Sequence, residues 1–187
     1  DIVATNLHVI ECAERGYIKI VGQKPKYEIA GIVSIDTQRD LALLKIMGVK
    51  APFLTFGETN QVAVGDEVYV IGNPQGLEGT FFQGIISGIR KISSDTLFQI
   101  TAPISPGSSG GPVLNAQGKV IGIAVANFSG GQSLNFAIPA YYLTPLLSEL
   151  KPVISLSANG MIIKPKKSIL DDLGGRSVEG VIAGQFT

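Results

Sequence analysis

Short apolar runs separated by glycine, proline, asparagine and aspartate are the feature that most constrains the fold of this chain. The runs are rich in β-branched and aromatic residues, which is typical of β-strands. They cover residues 17–21, 27–35, 41–46, 67–72, 80–89, 97–101, 112–115, 119–127 and 133–138. The 23 glycines and 10 prolines among the 187 residues supply turns along the whole chain. The pattern predicts an all-β fold.

A single short helix is predicted near residues 140–150, where apolar residues recur at intervals of three and four and would share one helical face. These residues are Leu143, Leu146, Leu147 and Leu150. From Lys151 onward the chain becomes more polar and richer in glycine. No function is assigned to this tail, residues 151–187.

Charge and hydropathy argue against several classes of partner. Fifteen basic residues balance fifteen acidic ones, and no basic tract is present, which disfavours nucleic acid and anionic membrane surfaces. The longest apolar run, residues 120–128, is much shorter than the ~18 residues of a membrane-spanning helix. The single cysteine, Cys12, excludes an internal disulfide. The chain opens on an apolar run without an initiating methionine, which is typical of a processed product or a fragment.

Candidate catalytic residues occur in three separate segments. The stretch PGSSGG at 106–111 places serines among glycines, and such glycines allow backbone N–H groups to point into a cavity. His8 is the only histidine, and Asp40 opens an apolar run. Taken singly, each has a structural alternative: a flexible surface turn, a buried hydrogen-bonded histidine, and a turn or cap residue.

Taken together, the three segments supply a nucleophile, a base and a carboxylate in the order His, Asp, Ser, which is the order of one known form of the catalytic triad. A serine hydroxyl is a poor nucleophile until a base accepts its proton and donors stabilise the oxyanion. Because the three residues are far apart in the sequence, only a folded cleft could bring them together.

The motifs around these residues resemble those of the HtrA (Deg) type of trypsin-like serine protease. TNLHV, RDLALLKI and GSSGGPVLNAQGKVIGI resemble the segments that carry the histidine, aspartate and serine of that family. The connecting stretches VGDEVYVIGNPQGL, GIISGIRK and LNFAIP are also similar, so the resemblance covers residues 3 to 150.

The resemblance implies a role for each candidate residue. His8 would be the general base, Asp40 its orienting partner and Ser109 the nucleophile, while the backbone N–H groups of Gly107 and Ser109 would form the oxyanion hole. The substrate pocket would have its base near 103–105 and one wall near 123–126. Its residues would be Pro103, Ile104, Ser105, Ile123, Ala124, Val125 and Ala126. No carboxylate occurs there, so the expected specificity is for small or medium aliphatic residues.

The implied architecture is two antiparallel β-barrels of the trypsin-like type. The first, residues 1–56, is expected to be incomplete because most strands that precede the histidine segment in the family are absent. The second, residues 57–150, would carry the nucleophile. No PDZ domain is expected in the tail. Ser108 stands where the family usually has asparagine, at a position that contributes mainly backbone.

The function expected from these features is that of a serine endopeptidase acting on unfolded or misfolded polypeptides through an acyl-enzyme. No metal or other cofactor is expected. The resemblance implies an extracytoplasmic location and leaves homo-oligomerisation open. Two alternatives remain: a catalytically silent protease-like binding or chaperone module, and a structural β-domain in which the three residues never meet.

Overall fold

The computed structural model describes residues 1–73, 79–125, 134–158 and 169, together with the backbone of residues 185–186. Strands dominate the described part of the chain. They are β1 Ile2–Asn6, β2 Tyr17–Lys19, β3 Lys26–Asp36, β4 Leu41–Ile46, β5 Glu67–Gly72, β6 Thr80–Ile92, β7 Asp95–Ile100, β8 Pro112–Leu114, β9 Val120–Val125, β10 Asn135–Pro139 and β11 Gln185–Phe186. A short helix, α1 Leu143–Ser148, follows the 3₁₀ turn Ala140–Tyr142.

The first part of the chain forms an open antiparallel sheet with the strand order β11-β1-β4-β3-β2 in the described residues. β1 and β4 are paired from Ile2 opposite Lys45 to Asn6 opposite Leu41. Nearly every residue of these two strands is buried. Alternate residues of β4 point to opposite sides, so the sheet is covered by apolar side chains on both faces.

The second part forms a closed barrel with the strand order β10-β7-β6-β5-β8-β9. Its interior is filled by β-branched and aromatic side chains, which explains the alternation of buried and half-buried residues along β5. Closure pairs both edges of the barrel sheet, so its backbone donors and acceptors are satisfied within the barrel.

An apolar cluster joins the sheet to the barrel. It combines residues of β1 and β4, such as Ala4 and Leu43, with residues of β9 and β10, such as Ile123 and Ile138, and all four side chains are fully buried. Since burial of apolar area is the main driving force of association in water, this cluster is what holds the two parts side by side. The end of β1 consequently lies next to the barrel.

The segment after α1 returns to the first sheet. Ile32 and Ile154 exchange two backbone hydrogen bonds of 2.8 and 2.9 Å, and the Lys151 N–H donates to the Val33 carbonyl. At Gly31 a side chain would overlap the Ile154 carbonyl, so only glycine allows this approach. Part of the tail that had no predicted function therefore pairs with β3.

The all-β fold, the open first sheet and the short helix are confirmed. α1 is shorter than the predicted 140–150, and Leu150, beyond its end, is 48% exposed, so the predicted apolar face ends at Leu147. The domain boundaries near 56 and 150 stay predictions. No helix in the described ranges is long and apolar enough to cross a membrane.

Candidate active site

His8 lies in a 3₁₀ turn, Leu7–Val9, that directly follows β1, and its side chain is almost completely buried. The turn is held by hydrogen bonds to Asp40, the residue before β4. The Leu7 N–H and the Asn6 side-chain amide both donate to the carbonyl of Asp40, at 3.0 and 3.1 Å. The imidazole therefore stands at the end of a buried strand pair, on the side of the barrel.

Asp40 immediately precedes β4 and has a positive φ of 56°, which aspartate tolerates better than most residues. Its Oδ1 accepts the His8 backbone N–H at 2.9 Å, and its Oδ2 accepts from His8 Nδ1 at 2.5 Å. The carboxylate is 1% exposed. Because an ionised carboxylate can only accept, Nδ1 carries the proton and Nε2 presents its lone pair.

Nε2 of His8 is buried and has no hydrogen-bond partner among the described residues. Ser109 lies in the loop between β7 and β8, and it is fully buried. The structure thus brings His8 and Asp40 into direct contact but forms no bond between Nε2 and the Ser109 hydroxyl. Such bonds are often long in substrate-free enzymes and tighten only when substrate is bound.

The loop around Ser109 is held by backbone hydrogen bonds on both sides. The Ser108 N–H donates to the Ser105 carbonyl at 2.9 Å, and the Gly110 N–H donates to Ala124 of β9 at 3.0 Å. Gly107 has a positive φ of 96°, a conformation that favours glycine. The sharp turn around Ser109 therefore depends on the glycine-rich sequence.

The side chain of the neighbouring Ser108 packs against the end of β5. A Cβ placed on Gly72 would lie 2.7 Å from Ser108 Oγ and 2.9 Å from Ser108 Cβ. The hydroxyl is buried and has no hydrogen-bond partner in the described part of the chain. Ser108 therefore packs against the end of β5, and this packing requires glycine at position 72.

The described residues of the predicted pocket lie in the loop between β7 and β8 and in β9. Pro103 is exposed, Ser105 is half-buried and Ile104 is 8% exposed. The three residues Ile123–Val125 belong to β9 and are all buried. Ala124 shares an apolar cluster with Ile104, whereas Ile123 and Val125 pack on the other side of β9. Ala126 lies outside the described residues.

Several residues that support this site had no predicted role. Asn6, Arg39 and Gly72 lie within the motifs TNLHV, RDLALLKI and VGDEVYVIGNPQGL, but the motifs alone did not indicate what these three residues do. Asp95, which contacts Arg39 at 2.7 Å, lies outside all the motifs. In the described ranges, no three His, Cys, Asp or Glu side chains lie close enough to hold a metal ion.

The sequence is similar to those of known peptidases. The sequence profile of the family described as the trypsin-like peptidase domain matches residues 1–123. The chain is 40% identical over 157 residues to a probable periplasmic serine endoprotease, DegP-like, of Chlamydia trachomatis, a match that covers 79% of this chain and 31% of the relative. It is also 40% identical over 162 residues to the serine protease Do-like HtrB of Bacillus subtilis, covering 79% and 35%.

The chain belongs to the HtrA-type trypsin-like peptidases. A solved structure of this type, the HtrA-type protease AlgW with a tripeptide, superposes with a TM-score of 0.70 at 33% identity, covering 79% of this chain and 51% of that one. The HtrA-type chain described here spans about a third of the length of the two curated relatives. The resemblance drawn from its motifs is confirmed.

Proposed function

We propose that this HtrA-type chain is the catalytic part of a serine endopeptidase in which Ser109 is the nucleophile, His8 the general base and Asp40 the residue that orients His8. The observation that carries the proposal is the buried His8–Asp40 pair, which is joined by two hydrogen bonds and leaves Nε2 as the free acceptor. A base of this kind, in a family of serine endoproteases, supports proton transfer from a serine.

The reaction begins when the Ser109 hydroxyl attacks a peptide carbonyl while Nε2 of His8 takes the hydroxyl proton. The oxyanion that forms would be stabilised by the N–H groups of Gly107 and Ser109. His8 then returns the proton to the leaving amine, and water hydrolyses the acyl-enzyme. Base catalysis contributes roughly 10²–10⁴ in rate, and each oxyanion donor roughly 10²–10³.

The proposed substrates are unfolded polypeptides, cleaved after small or medium aliphatic residues. The pocket residues support this specificity because Ile104 and Ala124 are apolar and no carboxylate lies among them. A buried lysine or arginine side chain of a substrate would have no charge partner there. Since the Chlamydia trachomatis relative is named periplasmic, we also propose an extracytoplasmic location.

The test compares two serine variants of the intact protein. Ser109→Ala should lose several orders of magnitude in peptidase activity on a chemically unfolded protein, and it should no longer react with a fluorophosphonate probe. Ser108→Ala is the matched control and should keep most of the activity. If Ser108 attacked instead, the second oxyanion donor would belong to Pro106, which has no N–H. A dead Ser108→Ala variant would therefore refute the assignment.

A second candidate function is a protease-like module that binds polypeptides without cleaving them. It is favoured by the complete burial of Ser109 and by the open first sheet. The fluorophosphonate probe separates the two functions, because only an activated serine reacts with it.

Mass spectrometry of the digest gives the cleavage specificity, and dominant cleavage after lysine or arginine would contradict an aliphatic pocket.

A further inference from the structure

Asp95 is a buried carboxylate in the barrel that contacts Arg39, the residue before the proposed catalytic aspartate. It is the first residue of β7 and is 1% exposed. Its Oδ1 accepts from Nε of Arg39 at 2.8 Å and forms an ion pair with Nη2 at 2.7 Å, and its Oδ2 accepts from the Gln38 amide at 2.6 Å. A buried carboxylate needs such partners, because an unpaired charge in the interior is strongly destabilising.

Arg39 connects this carboxylate to the turn that leads into Asp40. Within the turn, Asp36 accepts the backbone N–H of Arg39 through Oδ1 at 3.0 Å and the Arg39 guanidinium through Oδ2 at 2.7 Å. The guanidinium also lies 4.4 Å from the centre of the Tyr142 ring. Arg39 is therefore held by the first sheet and by the barrel at the same time.

The contacts with the two carboxylates favour the charged form of Arg39. Burial lowers the pKa of its guanidinium, but the hydrogen bonds to Asp36 and Asp95 outweigh burial and raise the pKa above its usual value. Because the guanidinium is planar and donates in a fixed fork, it sets direction as well as distance. A lysine in its place could not reach both carboxylates with the same geometry.

The backbone of Asp40 is fixed on its other side as well. Its carbonyl accepts from Leu7 and Asn6, and its φ of 56° is one that only a constrained loop keeps in a residue other than glycine. The peptide that joins Arg39 to Asp40 is thus clamped between the His8 turn and Asp95. Movement of the barrel relative to the sheet would be transmitted to Asp40 through Arg39.

We propose that Arg39 and Asp95 form a positioning pair that holds Asp40, and through it His8, in register with the barrel that carries Ser109. The proposal rests on the proposed function for its catalytic consequence. The pair does not touch the reacting atoms. It fixes the distance between Asp40, which is carried by the first sheet, and Ser109, which is carried by the barrel. A small change in that distance would lower the reaction rate substantially.

The test uses Arg39→Gln, Arg39→Lys and Asp95→Asn in the intact protein, with Arg90→Gln as the matched control. Arg90 bonds only the neutral Gln99 among the described contacts, on the exposed face of the barrel. Arg39→Gln should lower kcat by about 10-fold to 100-fold and leave KM within about 2-fold. Arg39→Lys should recover part of the loss, and Arg90→Gln should behave as the unsubstituted protein.

A second measurement does not depend on activity. A proton that His8 Nδ1 donates to Asp40 should give a deshielded NMR signal, which can be assigned because the chain has one histidine. Arg39→Gln and Asp95→Asn should weaken or shift that signal, and Arg90→Gln should not. Unchanged kcat and an unchanged signal in both variants would overturn the proposal. If the unsubstituted protein proves inactive, the proposed function fails and the NMR comparison alone decides the positioning role.

Discussion

Gly72 offers a sharp test of how the proposed nucleophile loop is supported. It is the last residue of β5, and a Cβ at this position would lie 2.7, 2.9 and 3.0 Å from Oγ, Cβ and Cα of Ser108. Its φ is not in the left-handed region, so alanine fits the backbone itself. The three closest contacts of the new Cβ in Gly72→Ala are therefore all with Ser108 of the loop, and the loop must move by several tenths of an ångström.

The expected cost follows from two opposing effects. Forcing a methyl group into a packed site costs about 1–3 kcal/mol. Replacing glycine by alanine restricts the unfolded chain, which offsets about 0.4–1 kcal/mol. The free energy of unfolding should therefore fall by about 0.5–2 kcal/mol, which lowers Tm by a few degrees. Because Ser108 directly precedes Ser109, kcat should also fall, by about 10-fold or more.

The assay combines thermal unfolding with turnover of an unfolded protein, and the second variant is Ser108→Gly. That change removes two of the three clashing atoms, so Gly72→Ala should cost less stability in its presence than alone. Gly57→Ala is the control, because its Cβ would meet Ile121 Cγ2 at 3.0 Å and the Asn115 amide at 3.2 Å, away from the loop. If Gly72→Ala keeps both Tm and kcat, the packing of Ser108 against β5 does not support the site.

Three further outcomes are expected. Ser108→Ala should raise the free energy of unfolding by about 1 kcal/mol in a denaturant titration, because it removes a buried hydroxyl that lacks a hydrogen-bond partner; a loss of stability would contradict this. Asp40→Asn should remain folded, since asparagine tolerates a positive φ, and should lose about 10³–10⁴ in kcat. His8→Ala should lose most of its turnover, because the variant has no group that accepts the Ser109 proton; a variant that keeps substantial activity would exclude His8 as the base.

The sequence predicted the fold well where apolar residues follow a simple period. β5 is an example, since Val68, Val70 and Gly72 are buried and the residues between them are not. The strand-like apolar run that opens the chain forms β1, which is directly followed by the His8 turn. The pairing of Ile154 with β3 gave no signal in the sequence, because a two-residue contact has no period. Pairing between segments that are far apart in the sequence can be recognised only in the folded structure.

In the candidate site too, some features could be predicted from the sequence and others could not. His8, Asp40 and the glycine-rich loop could be found from residue types and motifs, and the contact between the first two is direct. The orientation of Ser108 could not be predicted, because both serines occupy the same kind of sequence. The Arg39–Asp95 contact was also missed, since a charged residue in each of two turns is ordinary, and only the folded chain places them together.

The difference between the features that could and could not be predicted has a physical cause that bears on the mechanism. The apolar cluster between the sheet and the barrel supplies attraction, but hydrophobic burial has no direction, and similar packing tolerates small sliding movements. A triad divided between the two parts tolerates much less, because proton transfer needs a separation near 3 Å. A directional contact close to the site is therefore required, and the half-buried Arg39 guanidinium, which donates to the buried carboxylate of Asp95, provides one. The residues that set the register of such a site are for this reason polar, and they are the ones that apolar periodicity does not reveal.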